Sequence, residues 1–168
     1  MQERIRHSVL QVIEEFEGVY LVDLRVRGAQ RGRKIELILD TDTGIRIDAC
    51  ARISRRLHDL IESNADLLAE TGEDFELMVS SPGLGEPLKL DRQYIRHKGR
   101  PLRVTYTDED GTEKEAFGRL ADIVLQDDGN RRITLLPIIR KGTASKKEKQ
   151  SVTLSLDQIV RSVPEADL

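Results

Sequence analysis

The chain has 168 residues, 38% hydrophobic and 34% charged, with a net charge of -3. That length suits one average domain or two small ones with thin cores, and the negative balance excludes a surface that is basic throughout. Aromatics reach only 4%, with no Trp, too few for base stacking on aromatic platforms to be the main binding device. A single cysteine, Cys50, excludes an internal disulfide framework and a cysteine-based zinc site. Met1-Gln2-Glu3-Arg4 holds no apolar signal core, and no run approaches membrane-spanning length, so the expected place is the cytoplasm, with no membrane partner. Charge is uneven. Residues 1–89 carry 12 Lys/Arg against 17 Asp/Glu, and residues 90–168 carry 15 against 13, so the halves could meet a cationic and an anionic partner respectively.

Ile5, Val9, Val12, Ile13 and Phe16 recur at helical spacing and predict an amphipathic helix over 2–17, stopped by Gly18. Tyr20, Val22, Leu24 and Val26 share one face with Asp23, Arg25 and Arg27 on the other, and Ile35, Leu37 and Leu39 share a face of a second run, giving two strands joined by a hairpin at 28–32. After the turn at 41–44, Asp48 is the expected N-cap of a second helix with Cys50, Ile53, Leu57, Leu60 and Ile61 on its inner stripe. Phe75, Leu77 and Val79 make a third strand, which breaks at Ser80-Ser81-Pro82-Gly83. Beyond a Gly- and Pro-containing stretch the pattern changes to short strands: 102–107, 115–125, 133–139, 152–156 and 159–163. Five short strands in so little chain fit a small, bent barrel. The fold class is therefore α+β: an N-terminal two-helix/three-strand domain over 1–88, a linker over 89–98 and a barrel domain over 99–168.

Catalytic chemistry has little to work with. The only histidines, His7, His58 and His97, have no Cys or Ser partner at a telling spacing, and Gly28-x-x-x-Gly32-x-Lys34 lacks the ending of a P-loop. Gly83-Leu84-Gly85 runs into a Pro-containing linker where a dinucleotide site needs a helix. The reading is no catalytic residue, no metal site and no cofactor.

Three cationic clusters are candidates for RNA contact. Arg25, Arg27, Arg31, Arg33 and Lys34 fall on the hairpin without an intervening acid, and such a ribbon can follow a phosphate backbone, with Gly28 and Gly32 allowing close approach. An edge hairpin using charge against aggregation is the alternative. Arg52, Arg55 and Arg56 line the polar flank of the second helix. The loop 140–149 carries Arg140, Lys141, Lys146, Lys147 and Lys149 with one acid, Glu148.

The end of the third strand, Val79-Ser80-Ser81-Pro82-Gly83-Leu84 followed by Pro87-Leu88, resembles the signature of the bacterial ribosome maturation factor RimP family. Gly44-Ile45 leading into Asp48-Ala49-Cys50-Ala51-Arg52-Ile53-Ser54-Arg55, Phe117-Gly118-Arg119-Leu120, and Leu156-Asp157-Gln158-Ile159 before Val163-Pro164 are similar to further stretches of that family. Three features depart from it: Gly85-Glu86 stands where Asp-Arg is common, Ala49 replaces an acid, and the loop 140–149 is an insertion. The resemblance implies an SH3-like (Sm-like) C-terminal barrel and a non-enzymatic role in maturing the small ribosomal subunit. By the same resemblance, the expected partners are the free immature particle, its ribosomal RNA near the central pseudoknot, and a basic small-subunit protein. Ser80, Ser81, Pro82, Gly83, Leu84 and Pro87 are then expected to be structural, a rigid turn between domains. No long exposed apolar stripe suggests an obligate dimer, so a monomer is expected. A general RNA-binding regulator of translation or transcription is the rival reading.

Overall fold

The computed structural model describes residues 2–28, 32–126, 129–138 and 150–166. Its chain divides into two compact units, Met1–Pro82 and Gly83–Leu168.

The first unit runs α1 (Gln2–Ile13), β1 (Tyr20–Arg27), β2 (Lys34–Asp40), α2 (Ile47–Ser63), α3 (Ala65–Thr71) and β3 (Glu76–Ser80). Its sheet has the order β1-β2-β3, with β1 antiparallel to β2 and β3 parallel to it. The parallel pairing needs a crossover, which α2 and α3 provide. Ile5, Val9 and Val12 of α1, Ile53, Leu57 and Ile61 of α2, and Ile35, Leu37 and Leu39 of β2 are buried together. These are the residues whose 3.6- and 2-residue periods set them on one face of each element. The opposite face of the sheet carries Arg25, Arg27, Lys34, Glu36 and Glu76 together with the exposed Met78.

Four local features differ from the sequence expectation. Helix α1 ends at Ile13, because Glu15 and Phe16 donate to Val12 and Ile13 in tighter turns before Gly18 reverses the chain at φ +76°. Helix α2 begins two residues early, at Ile47 with Arg46 at its cap, so Asp48 sits in its first turn, where its charge still favours the helix dipole. The buried carboxylate of Asp40 organises this turn instead, accepting the N–H groups of Thr41 at 2.9 Å and Ile45 at 3.1 Å. Third, α3 joins the two expected helices of the first unit. Asn64 Oδ1 caps it by accepting from Asp66 and Leu67, and Leu67 enters the core.

Fourth, residues 89–98 fold with the second unit. Helix α4 (Gln93–Arg96) sends Tyr94 into that unit's core, and buried Gln93 Oε1 accepts the N–H groups of Lys89 and Leu90. The backbones of Gly85 and Leu88 already donate to Pro164 and Ser162. This stretch reads as a connector in sequence because its apolar residues, Leu88, Leu90, Tyr94 and Ile95, follow neither simple period.

The second unit continues with β4 (Pro101–Thr107), β5 (Glu113–Leu125), β6 (Arg131–Pro137), β7 (Val152–Ser155), a 3-10 turn (Leu156–Gln158) and β8 (Ile159–Pro164). Its sheet is antiparallel in the order β7-β6-β5-β4-β8, so the first and last strands lie side by side. Bulges between Leu120 and Asp122 and between Thr105 and Tyr106 add bend and twist. Leu102, Val104, Leu120, Ile133, Leu135 and Leu154 fill the core. Among the described residues, no helix is long and apolar enough to cross a membrane.

Candidate nucleic-acid interface

The β1–β2 register sets Arg25 opposite Glu36 and Arg27 opposite Lys34. Strand alternation puts all four on the open face of the sheet, since their neighbours Leu24, Val26, Ile35 and Leu37 pack inward. The five hairpin cations then separate by role. Arg25 is committed to its neighbours, with Nε 2.9 Å from Asp23 and Nη1 3.6 Å from Glu36. Arg33 is an anchor. Its Nε donates to the Glu70 carbonyl at 2.7 Å, a favourable place for a cation at the C-terminal end of α3. Among the described residues Arg27 and Lys34 are exposed and in no ion pair, beside a cleft of about 230 Å³ that Glu36, Glu76 and Met78 also line. Arg31 lies outside the described residues. The space at Gly32 is already filled: a Cβ there would sit 3.3 Å from the Asp74 carbonyl, so this glycine serves the protein's own packing.

On α2, Arg52 and Arg55 are exposed and unpaired among the described residues, whereas Arg56 holds Glu15 through two bonds of 3.1 Å. That pair tethers α2 to the segment after α1, and as an exposed pair it contributes about 0–1 kcal/mol. Lys141, Lys146, Lys147 and Lys149, with Arg140, lie outside the described residues.

One cationic surface went unnoticed in sequence. Residues 89–100 carry Lys89, Arg92, Arg96, Lys98 and Arg100 against a single acid, Asp91, and Asp91 is engaged by Arg131. Exposed Lys98 and Arg100 are in no ion pair among the described residues, and Arg119 joins them by donating to the Gly99 carbonyl at 3.2 Å. The run was legible as a charge count but sat in a segment read as a connector. Arg103 and Lys114 of this unit have intramolecular duties instead. Arg103 bonds Glu165 and Glu115 and stacks 4.8 Å from the Phe117 ring centroid. Bonds to Glu165 and then Glu115 hold its guanidinium above the usual range. Lys114 sits 3.0 Å from Asp108, which raises the ammonium and lowers the carboxyl.

No described side chain shows nucleophilic preparation. Burial, then the charges of Asp40 and Asp48, push the Cys50 thiol up, which keeps it protonated. The His58 ring packs 4.8 Å from that of Phe75. Its Nδ1 lies 3.6 Å from Glu62. Among the described residues, His58, Asp59 and Glu62 form the one set whose potential metal-binding atoms fall within 4.8 Å of one another. They occupy a stretch of α2 at the surface, with Asp59 and Glu62 exposed. Ser80 closes β3; Ser81, Gly83, Leu84 and Pro87 are exposed and Pro82 is half-buried, a strand end that meets solvent.

The described residues define a two-unit α+β chain with unpaired cations on an open sheet face, on α2 and, as Lys98 and Arg100, just after α4. Residues 9–85 match the family described as the RimP N-terminal domain. Over 100% of both chains, the sequence is 47% identical to the ribosome maturation factor RimP of Pelodictyon phaeoclathratiforme. It is 44% identical to that of Chlorobium phaeobacteroides, again over 100% of both. With the factor of Cytophaga hutchinsonii the identity is 34%, over 91% of this chain and 84% of the relative. The chain belongs to the RimP family.

Proposed function

We propose that this protein is a ribosome maturation factor that acts by binding alone. In this reading it works in the cytoplasm as a monomer on the free, immature small (30S) subunit. It contacts ribosomal RNA and assists entry of a basic ribosomal protein near the central pseudoknot. The observation that carries the reading is end-to-end similarity to proteins named as ribosome maturation factors. Unpaired Arg27, Lys34, Arg52, Arg55, Lys98 and Arg100 are its proposed RNA contacts, because cations without an internal partner can neutralise phosphates with no ion pair to break.

The five-stranded sheet is proposed to be an SH3-like (Sm-like) barrel. Its strand order, the 13-residue bulged β5 and the 3-10 turn immediately before β8 support that architecture. The stretch Ser80–Leu84, with Pro87, is proposed to be structural.

Sedimentation of cell lysate through sucrose tests the reading. Co-migration with free small subunits, and absence from assembled ribosomes, is expected. Retention at the top of the gradient at low salt would sink it. Gel shifts of unstructured oligonucleotides at comparable affinity would favour the regulator instead.

A further inference from the structure

The two edges of the first unit's sheet are treated differently. On β1 the outward backbone groups of Leu24 are both occupied: its N–H donates to Asp23 Oδ1 at 3.0 Å, and its C=O accepts from Gln2 Nε2 at 3.2 Å. The bulge between Leu21 and Asp23 disrupts the same edge. These are ways of closing a strand to further pairing. On β3, Glu76 donates to Arg33 at 2.9 Å, and the parallel register with β2 continues without a shift. Alternation therefore turns the N–H and C=O groups of Leu77 and Val79 away from β2. Among the described residues neither has a hydrogen bond outside that pairing, and Met78 between them is 64% exposed.

The start of this edge is acidic. Glu73, Asp74 and Glu76 are exposed and in no ion pair among the described residues, and the contact of His58 with Phe75 brings Asp59 and Glu62 to the same end. We propose that the free edge of β3 is a strand-addition site for an extended cationic segment of a partner protein. The partner's backbone pairs with Leu77 and Val79, an apolar side chain covers Met78, and Lys or Arg side chains meet the carboxylates at the strand's start. In taking a basic protein as partner the proposal rests on the proposed ribosomal role; the edge geometry does not.

The test uses the full chain and a dye-labelled, end-capped peptide of alternating lysine and valine, followed by fluorescence anisotropy. A second peptide of identical charge carries N-methyl groups on alternate residues, which removes its pairing edge and leaves its electrostatics intact. Strand addition requires the methylated peptide to bind about tenfold more weakly, as loss of one or two strand hydrogen bonds implies. It also requires slower amide exchange at Leu77 and Val79 in the presence of the unmethylated peptide. Val79→Pro, which removes an outward N–H without touching the β2 pairing, should weaken binding similarly with unchanged circular dichroism. Equal binding of both peptides, no binding, or unchanged exchange at Leu77 and Val79 would overturn the proposal. So would a dimer of this chain that Val79→Pro dissociates, since a second copy would then own the edge. Failure of the peptide while the protein still sediments with free small subunits removes the edge site and spares the ribosomal role.

Discussion

Gly118 sits in β5 where the chain has no room for a side chain. A Cβ built there lies 2.4 Å from the Leu136 carbonyl oxygen, 3.0 Å from the Leu136 carbonyl carbon and 3.2 Å from the Leu135 Cβ. Reaching even 3.0 Å from that oxygen means parting β5 from β6 by about 0.6 Å, the difference between 3.0 and 2.4 Å. The two strands are paired at this point, with Gly118 opposite Pro137 and Arg119 opposite Leu136. An N–H···O bond of about 2.9 Å stretched by that amount is at the limit of the interaction. Overpacking costs about 1–3 kcal/mol, and a weakened strand bond adds about 0.5–1.5 kcal/mol. Alanine returns about 0.4–1 kcal/mol by restricting the unfolded chain. Gly118→Ala should therefore destabilise the second unit by about 1–3 kcal/mol, a fall of about 5–20 °C in its Tm. Differential scanning calorimetry with urea unfolding reads this, and Gly83→Ala is the control. A Cβ at Gly83 meets only the Glu86 Cγ, at 4.0 Å, so its Tm should stay within a few degrees. An unchanged or raised Tm for Gly118→Ala would refute the reasoning, because the clash involves backbone atoms that cannot rotate aside.

Charge reversal of Arg27 and Lys34 together should weaken binding to small-subunit RNA and reduce the log–log salt slope by ~0.7 for each phosphate no longer neutralised. Arg33→Ala should instead lower the thermal midpoint, since it frees the Glu70 carbonyl; a filter-binding titration beside a thermal melt separates the two. Tyr94→Phe deletes the buried 2.6 Å bond to the Ser162 hydroxyl and should cost about 1–3 kcal/mol in urea unfolding. Burial raises the phenol of Tyr94 above its ordinary pKa. A raised pKa means that the folded state holds this proton more tightly than the unfolded chain does. Its contribution to stability is accordingly full below the unfolded value of 10.0 and lost as pH rises through the higher folded value. The Phe variant should lack that alkaline loss. Bonds from Lys114 and from the Thr112 and Asp110 N–H groups lower the Asp108 carboxyl. Its support of the turn should hold above the ordinary carboxylate pKa and fade only as pH falls through the lower folded value, which carboxyl carbon NMR of the wild type and Lys114→Ala resolves.

Periodicity carried most of the fold. The strands β1 to β8 and the two long helices stand where apolar residues recur at two or 3.6, because those spacings alone set one face of an element against a core. Helix α3, capped by Asn64, is only seven residues long, too short for a period to show in the sequence. Helix α4 and its flanks were invisible for another reason: Gln93 and Tyr94 are buried by bonds to Lys89, Leu90 and Ser162, the last 68 positions away from Tyr94. The cationic clusters were countable in sequence, yet only the tertiary structure sorts them. A carboxylate or a helix-end carbonyl takes Arg25, Arg33 and Arg56 out of circulation and leaves Arg27, Lys34, Arg52 and Arg55 exposed. Likewise the alternation in β3 is written in the chain, but nothing in it says that the strand ends the sheet. Which residues can be buried is a property of local pattern; which charges and backbone groups remain unpaired depends on neighbours distant in sequence, and folding alone chooses those.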